Sequence, residues 1–212
     1  MVLYLLASVV GVVVIVLLVV HLTKTGTNSP AAGSSTPAST STAGAQSGSL
    51  YVLAAAPSAG SYKLSATATR AYSRQAKNQI ASVADQIRAR GAGRTTKDVV
   101  AVYDLGSVTS PSSPDFKAVA FVGFEGTFNP AAVIKYEQTQ LVSTRMVNAG
   151  RNGGEMMCGY NRSTGSNASQ CVWVTNTTFG QVEFLAGQTT VKYAGAPDIA
   201  LTVRQAVETP GV

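Results

Sequence analysis

"GGEMMCGYNRSTGSNASQCVWVTN", residues 153–176, holds both cysteines of the chain, two of its four methionines and its sole tryptophan. It reads as two strands joined by a polar loop. Side chains alternate across a strand, so Met156, Cys158 and Tyr160 share one face of the first strand, and Cys171 and Trp173 share one face of the second. Pairing Cys158 with Cys171 across this hairpin places Met156, Tyr160 and Trp173 together behind the bond. Met157, Val172 and Val174 then point to the opposite side. Both sides are apolar, which predicts a sheet covered on both faces. A staple closing a loop of this length contributes ~3 kcal/mol in the chain-entropy account. Redox-active thiols remain open as an alternative, as does a soft copper site built from Met156, Met157 and the thiolates.

The flanking chain fits such a sheet. "FKAVAFVGFEG" (116–126) is apolar on both parities and predicts another doubly covered strand, preceded by a strand at 98–107. "TTFGQVEFLAG" (177–187) alternates Val182 and Phe184 with Gln181 and Glu183, and "VKYAG" (191–195) reads as a short extension. The stretch 50–65 predicts a short strand or extended lead-in. Three helices are expected. The first spans 67–90, with Tyr72, Ala76, Ile80, Val83 and Ile87 at helical spacing and Gly91 as a left-handed cap. The second spans 129–145, with Asn129 as N-cap, Pro130 at the first helical position, and Val133, Tyr136, Leu141 and Val142 as its buried stripe. The last starts at 196, with Ile199, Val203 and Val207 in its stripe, Pro197 opening it and Pro210 ending it. The fold class is α+β: a largely antiparallel sheet with about three helices packed on it. "AGRNGG" (149–154) reads as a turn into the strand at Glu155.

Ahead of this domain (50–212) lie two segments of different character. Residues 2–20, "VLYLLASVVGVVVIVLLVV", carry no charge. At ~1.5 Å per residue a helix over 1–22 spans a ~30 Å hydrocarbon core. It lacks the basic flank and nearby cleavage site of a secretory leader, so a transmembrane anchor is expected. Residues 23–49 are Ser/Thr/Ala/Gly/Pro-rich and too poor in apolar surface to fold, which predicts a disordered linker. Lys24, just past the span, favours a cytoplasmic domain by the positive-inside rule. The paired cysteines and the linker composition favour the opposite, a single-pass cell-membrane protein with its C-terminal domain outside the cytoplasm.

Composition excludes several chemistries. The only histidine is His21, so residues 50–212 contain no imidazole for a Ser-His-Asp or Cys-His system or for a His-containing zinc site. The carboxylates are scattered, and a hydrolase would need two that converge only in three dimensions; Glu125 and Glu155 are the first candidates. No glycine-rich segment has the spacing of a phosphate-binding loop. The formal charge of +6 is interspersed, without the basic stripe and aromatics of a nucleic-acid binder. Arg70, Arg74, Lys77, Arg88 and Arg90 lie off the apolar stripe of the first helix and form a candidate contact face for polyanions. No catalytic, cofactor-binding or metal-binding residue is assigned.

"PSAGSYKLS" (57–65), "GGEMMCG" followed by "CVWVTNTTFGQVEF", and the C-terminal helix together resemble uncharacterised membrane-anchored or lipid-anchored envelope proteins of high-GC actinobacteria. In that class a glycine-rich strand with one cysteine precedes a Cys-x-Trp strand. The resemblance implies an extracytoplasmic location and a C-terminal disulfide hairpin domain, and implies no activity. Many such proteins have a histidine after the Cys-x-Trp strand where this chain has "TNTT", a departure that weakens the case for a shared catalytic residue. The expectation is a non-catalytic binding or interaction domain that contacts the membrane through its single helix. Its partner would be an anionic wall polymer, a lipid or another envelope protein. A carboxylate-dependent hydrolase or transferase, and a thiol-redox or copper-handling protein, are the alternatives.

Overall fold

The computed structural model describes residues 50–106, 115–161, 168–186 and 189–211. The expected anchor at 1–22 and linker at 23–49 lie outside them. Among the described residues no helix is long and apolar enough to cross a membrane. The elements run β1 (Tyr51–Leu53), β2 (Ser58–Ala59), β3 (Tyr62–Leu64), α1 (Ala66–Ala89), β4 (Gly93–Asp104), β5 (Lys117–Phe128), α2 (Pro130–Gln140) and β6 (Leu141–Met146). They continue with β7 (Glu155–Asn161), β8 (Ser169–Val174), β9 (Thr178–Ala186), β10 (Thr189–Thr190), α3 (Ala196–Val207) and β11 (Glu208–Pro210). The main sheet has the order β2-β3-β4-β5-β9-β8-β7-β6, with β10 added on β9, and a separate ribbon pairs β1 with β11. Every pairing is antiparallel. The α+β class with three helices stands.

The sheet is covered on both faces, as the parity of 153–176 requires. On one face Val119, Phe121, Met156, Trp173, Val182 and Phe184 pack beneath α3 through Ile199, Ala200, Val203 and Val207, with Leu53 of β1 alongside. On the other, Phe124, Met157, Val172, Val174 and Phe179 meet Ile87 of α1 and Val133 and Ile134 of α2. The N-terminal half of α1 covers Val102, Ala118 and Ala120 through Ala68 and Tyr72. Cys158 and Cys171 face each other in register on β7 and β8 and are bonded, with Cα atoms 4.1 Å apart. The indole of Trp173 stacks on Phe121, ring centroids 5.5 Å apart. Gly123 and Gly180 are opposite each other on β5 and β9, and a Cβ on Gly180 would lie 2.2 Å from the Trp173 ring. The glycine pair is the slot that admits the stack.

Local chemistry explains the helix limits. Ser65 caps α1 by accepting from the Ala68 N–H, and Asn129 caps α2 by accepting from Ala132. Gly91, with φ +66°, closes α1 as expected, and the following Ala92 N–H reaches back to the Ile87 carbonyl.

The second helix is shorter than predicted. It ends at Gln140, and residues 141–146 form the edge strand β6 on β7. The apolar stripe continues through Leu141 and Val142 in helical register, which hides the break. The β-branched Val142 and Thr144 suit a strand, and β7 gains a neighbour that a helix could not supply. Strand β4 starts at Gly93, five residues before the expected 98. The lead-in 50–65 resolves into three short strands rather than one, and the extension beyond β9 is Thr189–Thr190 rather than 191–195.

Candidate functional site

Three features of the folded domain carry chemistry: the sulfur pair, the buried carboxyls, and the surface around α1. The sulfur pair is the simplest. Cys158 and Cys171 are buried and bonded to each other, and no described cysteine is free. A copper site from these thiolates would require breaking the bond. Among the described residues no three His, Cys, Asp or Glu side chains cluster as a metal site.

The carboxylates occupy three unlike settings. Glu125 accepts from the Leu53 N–H at 2.8 Å and from Lys97 Nζ at 2.9 Å, and Lys97 also donates to the Leu53 carbonyl. This clasp fastens β1 to β4 and β5. Burial acts to raise the Glu125 carboxyl, but the bonds from Lys97 and Leu53 outweigh it and hold it below its usual range. Glu155 starts β7 opposite Val174, half-buried. Neither candidate from the sequence meets a second carboxylate.

Glu208 lies in a cluster that the sequence reading missed. Arg204 of α3 is fully buried, its Nε 2.7 Å from Glu208 Oε2, one turn on. Its two terminal nitrogens donate to the carbonyls of Ala149 and Gly153, both at 2.7 Å, and its guanidinium lies over the Trp173 ring. Glu208 also accepts from Asn152 and from the Thr178 hydroxyl. The loop 147–154 wraps this arginine by bending at Gly150, Gly153 and Gly154, all at positive φ. The i, i+4 Arg–Glu spacing was the available signal, but on a helix it ordinarily marks a solvated pair. The cluster binds α3 to the loop and to β9, and its polar atoms are spent on one another.

On the opposite face two acids are desolvated. Glu183 of β9 accepts from Gln181 at 3.0 Å and from the Tyr72 hydroxyl of α1; burial nonetheless raises its carboxyl above the usual range. Glu137 of α2 is buried without a hydrogen-bond or ion-pair partner among the described residues, and burial alone pushes it up to about 7. No second carboxylate contributes to either shift. Glu137 is a single raised carboxyl, without the paired-carboxylate constellation that glycoside hydrolysis needs.

The structure divides the five predicted basic residues. Arg90 stacks over the Tyr136 ring, 4.4 Å from its centroid, where it braces α1 against α2. Arg88 pairs with Asp85 at 3.2 Å on the exposed face. Arg70, Arg74 and Lys77 are exposed and make no ion pair with a described residue. Arg74 and Arg70 lie about one and two turns before Lys77 on α1, and Lys77 lines a groove of about 560 Å³ between α1 and β4. Its helix wall is Ser73, Lys77, Ile80, Ala81 and Ala84, and its other wall is Thr95 to Asp98 with Val100 and Phe124. β4 begins before the expected strand, and its added residues Thr95 to Lys97 supply part of this wall.

No family model, no curated protein and no solved structure matches the chain, so its functional reading rests on these residues.

Proposed function

We propose that the chain is a single-pass, membrane-anchored envelope protein whose domain 50–212 sits outside the cytoplasm and binds a partner without catalysis. The observation that carries the reading is the open groove between α1 and β4. It has an apolar floor and Lys77 in its helix wall, with Arg74 and Arg70 further along the same helix; none of the three makes an ion pair with a described residue, while the domain's carboxylates are engaged or isolated. The disulfide supports an oxidising compartment. The uncharged run 2–20 supports the anchor, and the Ser/Thr-rich stretch 23–49 a spacer of ~30 Å on average. The resemblance to actinobacterial envelope proteins points to the same place. The partner is an anionic wall polymer, a lipid headgroup surface or another envelope protein.

The test is protease added to intact cells expressing the full chain, with thiol labelling of the denatured, unreduced protein. Cleavage in the linker from outside, with no labelled thiol, is expected. A protected domain carrying two reactive thiols would overturn the reading. A carboxylate-dependent hydrolase is the second reading, favoured by Glu137 alone.

A further inference from the structure

The groove says more than that something anionic approaches it. β4 is paired along its whole length with β5, but on its other side β3 covers only Tyr103 and Asp104. Just inside that point Val102 turns its carbonyl to the Ser65 N–H, at 2.8 Å, and its N–H to Thr69 Oγ1, at 2.9 Å. Backbone groups of a strand alternate sides with period two, so Val100 and Asp98 turn their N–H and C=O the same way. No strand follows there among the described residues, and these groups open into the groove beneath α1.

The rest of the sheet is closed differently. At the far end, β6 is interrupted between Val142 and Arg145, with Ser143 at φ +50°, the kind of irregularity and charge that blunts an edge. At the near end β2 has only two residues. The β4 edge is irregular only between Thr95 and Lys97, which sets one limit of the usable stretch.

We infer that the groove takes an extended acidic–apolar peptide segment of a partner protein, which adds to the sheet as a strand on the free edge of β4. The inference deepens the binding reading above and rests on it. Main-chain groups of Asp98 and Val100 supply the ladder, and strand addition to an exposed sheet edge is a recurring mode of peptide recognition. Half-buried Ile80, Ala84 and Val100, with Phe124 beneath, form the seat for one inward apolar side chain. Lys77 in the helix wall, with Arg74 and Arg70 along the same helix, selects acidic side chains or a terminal carboxylate. Lys97 is committed to Glu125, and Asp98 is the one acid in the groove lining. The acidic residues of the ligand therefore belong on the α1 side, away from Asp98.

The test is selection of random nonapeptides displayed on phage against the full chain in detergent. Binding of the selected peptide is then measured by fluorescence anisotropy, beside an alternately N-methylated copy and beside dextran sulfate. Acidic–apolar sequences should be enriched, and N-methylation on the pairing side should weaken binding by at least ~10-fold. Val100→Pro removes an outward N–H that β5 does not use, a position where an edge strand accepts proline. It should cost a similar factor, and Lys77→Glu should cost about 10-fold. If Val100→Pro does not fold, the N-methylated peptide decides the question alone. Equal binding of the N-methylated peptide overturns strand addition. So does dextran sulfate binding that Lys77→Glu abolishes and Val100→Pro leaves intact, but that result keeps the binding-module reading. Failure to enrich any peptide overturns strand addition, and if dextran sulfate and anionic phospholipid vesicles also fail to bind, the binding-module reading falls with it.

Discussion

The two faces of the sheet bury ionisable groups by opposite rules. Under α3, Arg204 and Glu208 are both fully buried, and each donor and acceptor described above has a partner. Under α1 and α2, Glu183 has only the Tyr72 hydroxyl of α1 and Gln181 of its own strand, and Glu137 has neither. A satisfied buried pair adds little net stability over apolar side chains of the same size, but it is very costly to halve. A lone desolvated acid is costly from the start, unless it takes up a proton. The α3 face is thus locked by chemistry that tolerates no partial loss. The α1–α2 face gives up stability near neutral pH and is also the face that borders the groove, so the proposed ligand surface and the desolvated acids lie on the same side of the sheet.

The largest effect should come from halving the locked pair. Arg204→Ala leaves Glu208 buried without its cation and frees the carbonyls of Ala149 and Gly153, so a loss of about 3–5 kcal/mol is expected in urea unfolding at pH 7. Arg204→Met combined with Glu208→Leu should recover most of it. If the double variant is as unstable as the single one, the pair is not the lock. Reduction of Cys158–Cys171, which lies on the same face, should cost ~3 kcal/mol without moving the groove.

The opposite face should answer to pH. The Glu137 carboxyl is raised from 4.5 to about 7 in the fold. Its folded pKa exceeds its unfolded one, so the native state binds the extra proton. The stability it retains as a neutral acid is complete below pH 4.5 and lost as the pH rises through about 7. Glu137→Gln removes the charging step. It should leave stability nearly unchanged at pH 4.5 and raise it by about 2–3 kcal/mol at pH 8. Parallel pH curves for the two chains would show that the carboxylate finds a partner in solution, and the contrast between the faces would fail.

How much of this contrast was legible beforehand follows from what each pattern can encode. The period of two in 156–158 and 171–173 fixes which side chains share a face, and the disulfide, the Trp173 setting and the double cover all follow from it. Charge, by contrast, is an unreliable guide to burial. Arg204 and Glu137 sit at helix positions that face the core, but a charged residue reads as outward in any amphipathic pattern, so both were missed. The break at Leu141 was hidden because one stripe of spacing serves the end of α2 and the start of β6. The groove was invisible for a different reason. It arises from where β3 stops pairing with β4, a tertiary fact that no window of either strand contains.

The smallest test of the comparison sits where α1 begins. Ser65 accepts from the Ala68 N–H and gives its own bond to Asp104 at the end of β4. One oxygen of Asp104 is buried with no partner among the described residues, and burial raises this carboxyl despite the serine. Ser65→Ala therefore removes a helix cap and the one bond that favours the ionised acid. The cap alone is worth about 1 kcal/mol. Losing the bond raises the Asp104 carboxyl further, so the deficit should be smallest at acid pH, where the group is protonated, and grow as the pH rises through its folded pKa. Unfolding of the Ser65→Ala chain at pH 4 and pH 8 measures this directly. A deficit that stays constant across that range would assign the whole effect to the cap and leave Asp104 outside the set of acids that soften this face.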